Sequence, residues 1–289
     1  MKIDSWLEQI PLWGVFFLTI IIVVLSIWIG TLLGSRRRCL PDHETESSLG
    51  TITGATLGLV AFMLAFTFGI AAERLQIRKQ LLLDEVNAIN TTYLRADLLM
   101  EPHRSQVSKM LREYVDIRVK LARERLSGQS KTIQEVIFSS EVLHDQMWLH
   151  AVALAQKDRS SEIDALFISS LNDVIDFHNS RVTVTSYSIP MPIWNALYFI
   201  TILSMLTVGY QIGLSGKNSV KVSFVLALTF SAVVFLIADL DRATAGSLQV
   251  SQQPMIELQK KLQNQPQEAD PKEKVLGTSD KLHADDQKE

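Results

Sequence analysis

The chain has a single cysteine, Cys39, among 289 residues. That excludes an intramolecular disulfide and any multi-cysteine metal site, and it leaves the redox compartment unread. An excess of either charge is also missing. The 28 Lys and Arg face 31 Asp and Glu for a net charge of −3, so no basic surface argues for nucleic acid. Catalytic motifs are absent too. No Gly-rich loop carries the Lys-Ser/Thr ending of a phosphate cradle, and no nucleophile elbow or Ser-His-Asp setting is visible. The histidines are scattered: His144 and His150 fall on different helical faces, with no ligand partner at zinc spacing. Asp173 and Asp176, with His178 close by, read as the polar side of a helix. No metal, no cofactor and no enzyme activity are expected.

Charge is least abundant where it matters most for architecture. Four long apolar blocks cover 12–33, 49–72, 193–214 and 220–238, each long enough to approach or cross a hydrocarbon core of about 30 Å as a helix. The first block is too long for a signal peptide and no small-residue cleavage site follows it, so it reads as a retained helix. Trp6 and Leu7 before it suit an interfacial anchor. Cys39 follows the basic run Arg36, Arg37 and Arg38, where acylation is conceivable but an idle thiol is the simpler reading. Ionisable residues are almost absent inside the blocks, which argues against proton-coupled transport. The hydroxyls there, including Thr53, Thr56 and Thr67 on the second block and Ser223, Thr229 and Ser231 on the fourth, still permit a channel.

The rest of the chain is organised around the second block, which continues without Pro or Gly into ERLQIRKQLLLDEVNAINTTYLRA. Gly50, Gly54, Gly58, Ala61, Ala65 and Gly69 recur at steps of three and four, which places them on one helical face. In lipid such a face lets a second helix backbone approach closely. Glu73 extends that face, and Arg74 sits beside it where the helix leaves the membrane. Phe62 and Phe66 lie next to the small residues. Repeated around an axis they would form an apolar constriction; alone they are lipid-facing or core aromatics.

Between the second and third blocks, 73–188 reads as helical throughout. Leu75, Leu82, Val86, Ile89 and Tyr93 make one apolar face, and Val107, Met110, Leu111, Tyr114, Ile117 and Leu121 make another after Pro102. Further helices are expected near 132–157 and 161–177. Ile189-Pro-Met-Pro192 marks the return to the membrane. Asp239, Asp241 and Arg242 form a charge cluster at the end of the fourth block, placed to pair with Glu73 or Arg74. An amphipathic segment at 241–262 and a disordered tail at 263–289 close the chain. The fold class is all-α: four transmembrane helices with an extramembrane antiparallel helical bundle between helices 2 and 3. The Lys and Arg tally leaves the side of the bundle open, since Arg36–Arg38, Lys217 and Lys221 oppose Arg74, Arg78, Lys79, Arg181 and Arg242.

The run LAFTFGIAAERLQIRKQLLLDEVNAINTTYLRADLL, then EPHR and LREYVDIR, resembles the bacterial bestrophin-like domain family, as do LNDVIDFHNSR with IPMPIW and DLDRATAGSLQVSQQP. The likeness covers most of Leu49 to Pro254. It implies the architecture of bestrophins, which are pentameric anion channels with four membrane helices and a helical cytosolic region. The second membrane helix of a bestrophin lines an apolar neck followed by a charged residue, which implies gate roles for Phe62 and Phe66 and a place at the mouth for Arg74; Glu73 beside it is a further candidate there. Two features depart from bestrophins. The acidic calcium-binding cluster is missing, and the short connections carry the positive charges. The expectation is a multi-pass protein of the bacterial inner membrane that self-associates into an anion-permeable channel, with the lipid bilayer, its own copies and an inorganic anion as partners. The alternative is a non-conducting sensor or scaffold whose bundle binds a partner protein.

Overall fold

In the computed structural model of the chain, the described residues are 10–38, 46–127, 130–216, 220–242, 246 and 248–264. They form eight α-helices and no strand: α1 (Leu12–Arg38), α2 (Glu46–Ala96), α3 (His103–Ser127), α4 (Ser130–Lys157), α5 (Glu162–Val184), α6 (Met191–Ser215), α7 (Val220–Asp241) and α8 (Gln253–Asn264). Four of these, α1, α2, α6 and α7, contain stretches long and apolar enough to cross a membrane. Trp6, Leu7, Cys39, Pro41, Lys217 and residues 265–289 lie outside the described residues. Gln263 and Asn264, where the tail was expected to start, lie in the last turn of α8. α5 runs past Phe177 to Val184, since no Gly or Pro interrupts the chain before Pro190.

The chain divides into two units, Met1–Leu81 with Ser180–Val250 and Leu82–Asn179 with Ser251–Glu289. In the first, α1 packs against α6 and α7. α1 turns Val15, Thr19, Val23 and Ile27 inward and leaves Trp13, Phe17, Ile21 and Trp28 exposed, the one-sided pattern of a helix with lipid on its other face. The tightest contact is backbone to backbone. A methyl group added to Gly30 would strike the Leu206 carbonyl oxygen, and one on Gly34 would strike that of Tyr210. Reciprocally, Gly209 meets the Ile27 carbonyl and Gly213 that of Thr31. Each helix therefore presents a Gly-x-x-x-Gly pair to the other. Thr19 Oγ1 and Tyr198 Oη, 2.9 Å apart, add a buried hydrogen bond between the same two helices. α6 ends on Gly216, whose φ of 68° is a left-handed cap open to glycine at little steric cost.

In the second unit α3 packs against α4 and α8. α3 buries Val107, Leu111, Tyr114 and Leu121, and α8 buries Met255, Leu258 and Leu262. Gln259 donates to Asp116 at 2.7 Å and Lys261 to Asn90 at 2.9 Å, fixing the polar edge of α8. The interior also holds charge. Glu85 is fully buried and takes hydrogen bonds from Tyr114 Oη at 2.5 Å and Arg118 Nη2 at 3.2 Å. Burial works against the Arg118 charge, and Glu85 and Tyr114 together more than offset it, so the guanidinium pKa is raised. His178, read from the sequence with Asp173 and Asp176 as one polar face, does not share it. The two aspartates are exposed while His178 is fully buried against Tyr114, because it falls on the apolar stripe with Leu171 and Val174.

Gly209→Ala should destabilise the protein by about 1–3 kcal/mol, the range for overfilling a close-packed contact, whereas Gly58→Ala should leave the single chain unaffected. Thermal melting of both variants in one detergent checks this; equal midpoints would refute the close α1–α6 crossing. Glu85→Ala strands Arg118 in the interior and should cost about 3–5 kcal/mol, read as a lowered melting temperature.

Candidate pore-lining face and membrane-boundary cluster

The membrane half of α2 buries one narrow stripe, Thr53, Val60, Thr67 and Ala71. Thr56 approaches Thr207 of α6 at 3.3 Å, and Ser204 Oγ donates to the Thr56 carbonyl at 3.1 Å. Thr67 bonds back to the Met63 carbonyl at 2.7 Å. Three of the hydroxyls singled out in the sequence thus face the chain's own interior or its edge.

The other side of α2 is open. Gly54, Gly58, Ala61, Ala65, Gly69, Phe62, Phe66 and Glu73 are all exposed, and a methyl group on Gly54, Gly58 or Gly69 would meet nothing of the chain within 4 Å. Gly50 alone has a neighbour, the Gln211 side chain at 3.7 Å. Phe62 and Phe66 are 64% and 52% exposed, with ring centroids 6.5 Å apart and nearly parallel. Only 17% of the most apolar stretch of α2 is buried, against 33%, 39% and 44% for the spans of α1, α6 and α7. Among the described residues, the glycines that meet the backbone of another helix are the α1 and α6 pairs, which the sequence did not single out. Their signal was present, one Gly-x-x-x-Gly in each span.

Arg74, one residue beyond Glu73, points the other way. Its Nη1 lies 3.9 Å from Asp241 Oδ1, with side chains 23% and 9% exposed. Both Asp241 carboxylate oxygens accept from the Ile189 amide at 3.0 Å. Arg78, counted in the sequence only as a flanking charge, is the more deeply buried arginine. Its Nη2 donates to the carbonyls of Leu240 at 2.9 Å and Asp241 at 3.1 Å. Those carbonyls end α7, where helix geometry leaves acceptors without intrahelical donors and the helix dipole favours a cation. Arg242 Nη2 donates to the Ile10 carbonyl at 2.5 Å, tying the end of α7 to the segment before α1. Asp239 is 2% exposed, and Gly246 packs so closely on it that a methyl group there would strike its carbonyl and Oδ1. Among the described residues no three His, Cys, Asp or Glu side chains are grouped to hold a metal.

Asp241→Ala removes the acceptor for Ile189 and the partner of Arg74, and should cost about 2–4 kcal/mol. Arg74→Ala, at a more solvent-screened position, should cost about 1 kcal/mol or less. Thermal melting of the two variants checks the order; a larger loss for Arg74→Ala would contradict this geometry.

The sequence matches a family model described as a Bestrophin-like domain over residues 17–255. No curated protein matches it. Among solved structures, a membrane protein with a glycine-to-alanine substitution is 14% identical with a TM-score of 0.61, covering 86% of this chain and 96% of its own. A bacterial bestrophin homologue from Klebsiella pneumoniae is similar in two variants. The tyrosine-to-alanine form is 13% identical with a TM-score of 0.58, covering 86% and 97%. The aspartate-to-alanine form is 14% identical with a TM-score of 0.57 and the same coverage. At these identities the structures speak to the fold alone. The family model spans α1 through the start of α8, and on that match the chain, a membrane protein, belongs to the bestrophin-like family.

Proposed function

We propose that copies of this chain assemble around α2 in the bacterial inner membrane and form an anion-permeable channel. The observation that carries this reading is the exposed Gly-Ala-Phe strip of α2. A helix that buries so little of itself within its own chain while carrying small residues at packing spacing is suited to meet further helices. Phe62 and Phe66 narrow the pore, an apolar constriction that opens when water enters it. Glu73 contributes charge at the mouth. Arg74 contributes less, because Asp241 beside it partly neutralises its field. The helices of 73–188 form an antiparallel bundle outside the bilayer. Membership of the bestrophin-like family supports the same reading, as does the likeness in fold to a bestrophin homologue.

A second reading has its own observation. α4 leaves Phe138 and Leu149 66% and 69% exposed, an apolar face that suits a partner protein on a non-conducting sensor or scaffold.

Chloride flux from liposomes containing the purified protein separates the two. The channel reading expects flux that rises several-fold in Phe62→Ala/Phe66→Ala, because a wider and less apolar neck dewets less readily. Flux in the parent protein that the double variant leaves unchanged would remove the phenylalanines from the gate. A folded, oligomeric protein that passes no chloride in either form would favour the scaffold.

A further inference from the structure

Arg112 of α3 reaches across to Tyr93 of α2, and both residues belong to the second unit. Its Nη2 donates to the Tyr93 hydroxyl oxygen at 2.5 Å, and its guanidinium carbon lies 5.5 Å from the ring centroid. The guanidinium is thereby held in place, yet its Nε–H is buried and has no hydrogen-bond partner. One turn earlier on α3, Ser108 is 8% exposed and its buried Oγ has no partner either. Residues four apart share a helix face, and side chains lean toward the helix N-terminus, so Arg112 leans over Ser108. Tyr93 is 3% exposed, and its oxygen already accepts from Arg112, which leaves its proton to give.

Ser108 departs from the habit of buried hydroxyls in this unit. Thr92, Ser140 and Ser170 each donate back to a carbonyl three or four residues earlier in their own helix. Ser108 does not. Three donors thus gather in one place with no acceptor: the Arg112 Nε–H, the Ser108 hydroxyl and the Tyr93 hydroxyl. Buried donors are costly to leave unmet, so the missing member is an acceptor. The nearby acids do not fill the role. Asp116, one turn further on α3, accepts from Gln259 at 2.7 Å, and Asp97 faces Arg104 at 3.8 Å.

We propose that Arg112, Ser108 and Tyr93 form a binding site for a carboxylate group. One guanidinium and two hydroxyls offset a single negative charge, whereas a phosphate carries about −1.5 to −2 at neutral pH. A carboxylate also brings two oxygens, which three donors can share, where a halide brings one atom. The carboxylate is either a free ion or a side chain of this protein. Lys261 and Gln263 of α8 bond to Asn90 and Asp116. Asn90 is three residues before Tyr93 and Asp116 four after Arg112, so α8 ends about one turn short of the site. Glu268 follows Asn264 by four residues and Asp270 by six. Four residues of extended chain reach about 13 Å, more than the roughly 5.4 Å of one helical turn.

Thermal melting of the full chain in detergent at about pH 7 tests the proposal, with sodium acetate, phosphate or chloride as the salt at equal ionic strength. A free carboxylate ligand predicts that acetate raises the midpoint and the other two salts do not. A carboxylate from the chain itself predicts no acetate effect on the parent, a lower midpoint in Glu268→Gln/Asp270→Asn, and an acetate response that appears in that variant. In whichever protein responds, Arg112→Gln should raise the acetate concentration needed at least about tenfold. Ser108→Ala keeps the charge and removes one donor. It should raise that concentration several-fold, and it decides the matter if Arg112→Gln fails to fold. An acetate response matched by phosphate or chloride, or one that both substitutions leave intact, would overturn the proposal. So would the absence of any response in both the parent and the Glu268→Gln/Asp270→Asn variant, which would leave ordered water as the acceptor.

Discussion

The membrane unit depends on how closely α1 and α6 approach. Between helices in lipid there is no water to expel, so association rests on dispersion and hydrogen bonds that decay steeply with distance. Gly30 and Gly34 on one side, with Gly209 and Gly213 on the other, remove every side-chain atom that would hold the backbones apart. At that separation Thr19 and Tyr198 reach each other. With α6 and α7 both on α1, the inner faces of three helices are satisfied. α2 then touches the group along a stripe, through Thr56, Val60 and Thr67, and at the end of α7 through Arg74 and Arg78.

Charge is handled by a second rule, that a buried ionic group must end on a complementary group already in place. Arg78 serves the last carbonyls of α7, and Asp241 serves the Ile189 amide, so each ion satisfies backbone that no helix can. In the other unit Glu85 and Arg118 satisfy one another, with Tyr114 closing the set. Such groups contribute less to net stability than their contacts suggest, since desolvation offsets much of their attraction. They do make each arrangement intolerant of losing one member.

The helices and their order were legible because the signals are local: charge-free runs, the Ile189-Pro-Met-Pro192 break, and apolar spacing such as Val107, Leu111 and Tyr114. The small-residue face of α2 was legible as a face for the same reason. Spacing says which residues share a side of a helix and not which side turns inward. Thr53 and Thr67 therefore looked as available to a pore as Phe62, yet they are buried and Phe62 is not. Arg78 did not stand out, because an arginine near a membrane boundary is usually solvated, and only the end of α7, far along the sequence, gives it carbonyls to cap. His178 needed Tyr114 and Glu85 from two other helices before its burial made sense. The glycines of α1 and α6 each carry half of a signal that becomes legible when the two spans are set side by side.

The exposed strip of α2 has a bearing on hydration. From Ile52 to Gly69 every exposed side chain is that of Ile, Gly, Ala, Leu or Phe, and the helix backbone already uses its own amides and carbonyls. In the proposed channel, no exposed side chain along that stretch could replace a lost water molecule around a passing ion. A solute travelling beside it must keep its first shell or bear the full cost of shedding it. That cost is lowest for large anions of diffuse charge and highest for small ones, so a pore of the proposed kind would rank ions by how loosely they hold water and not by how well they fit a binding site.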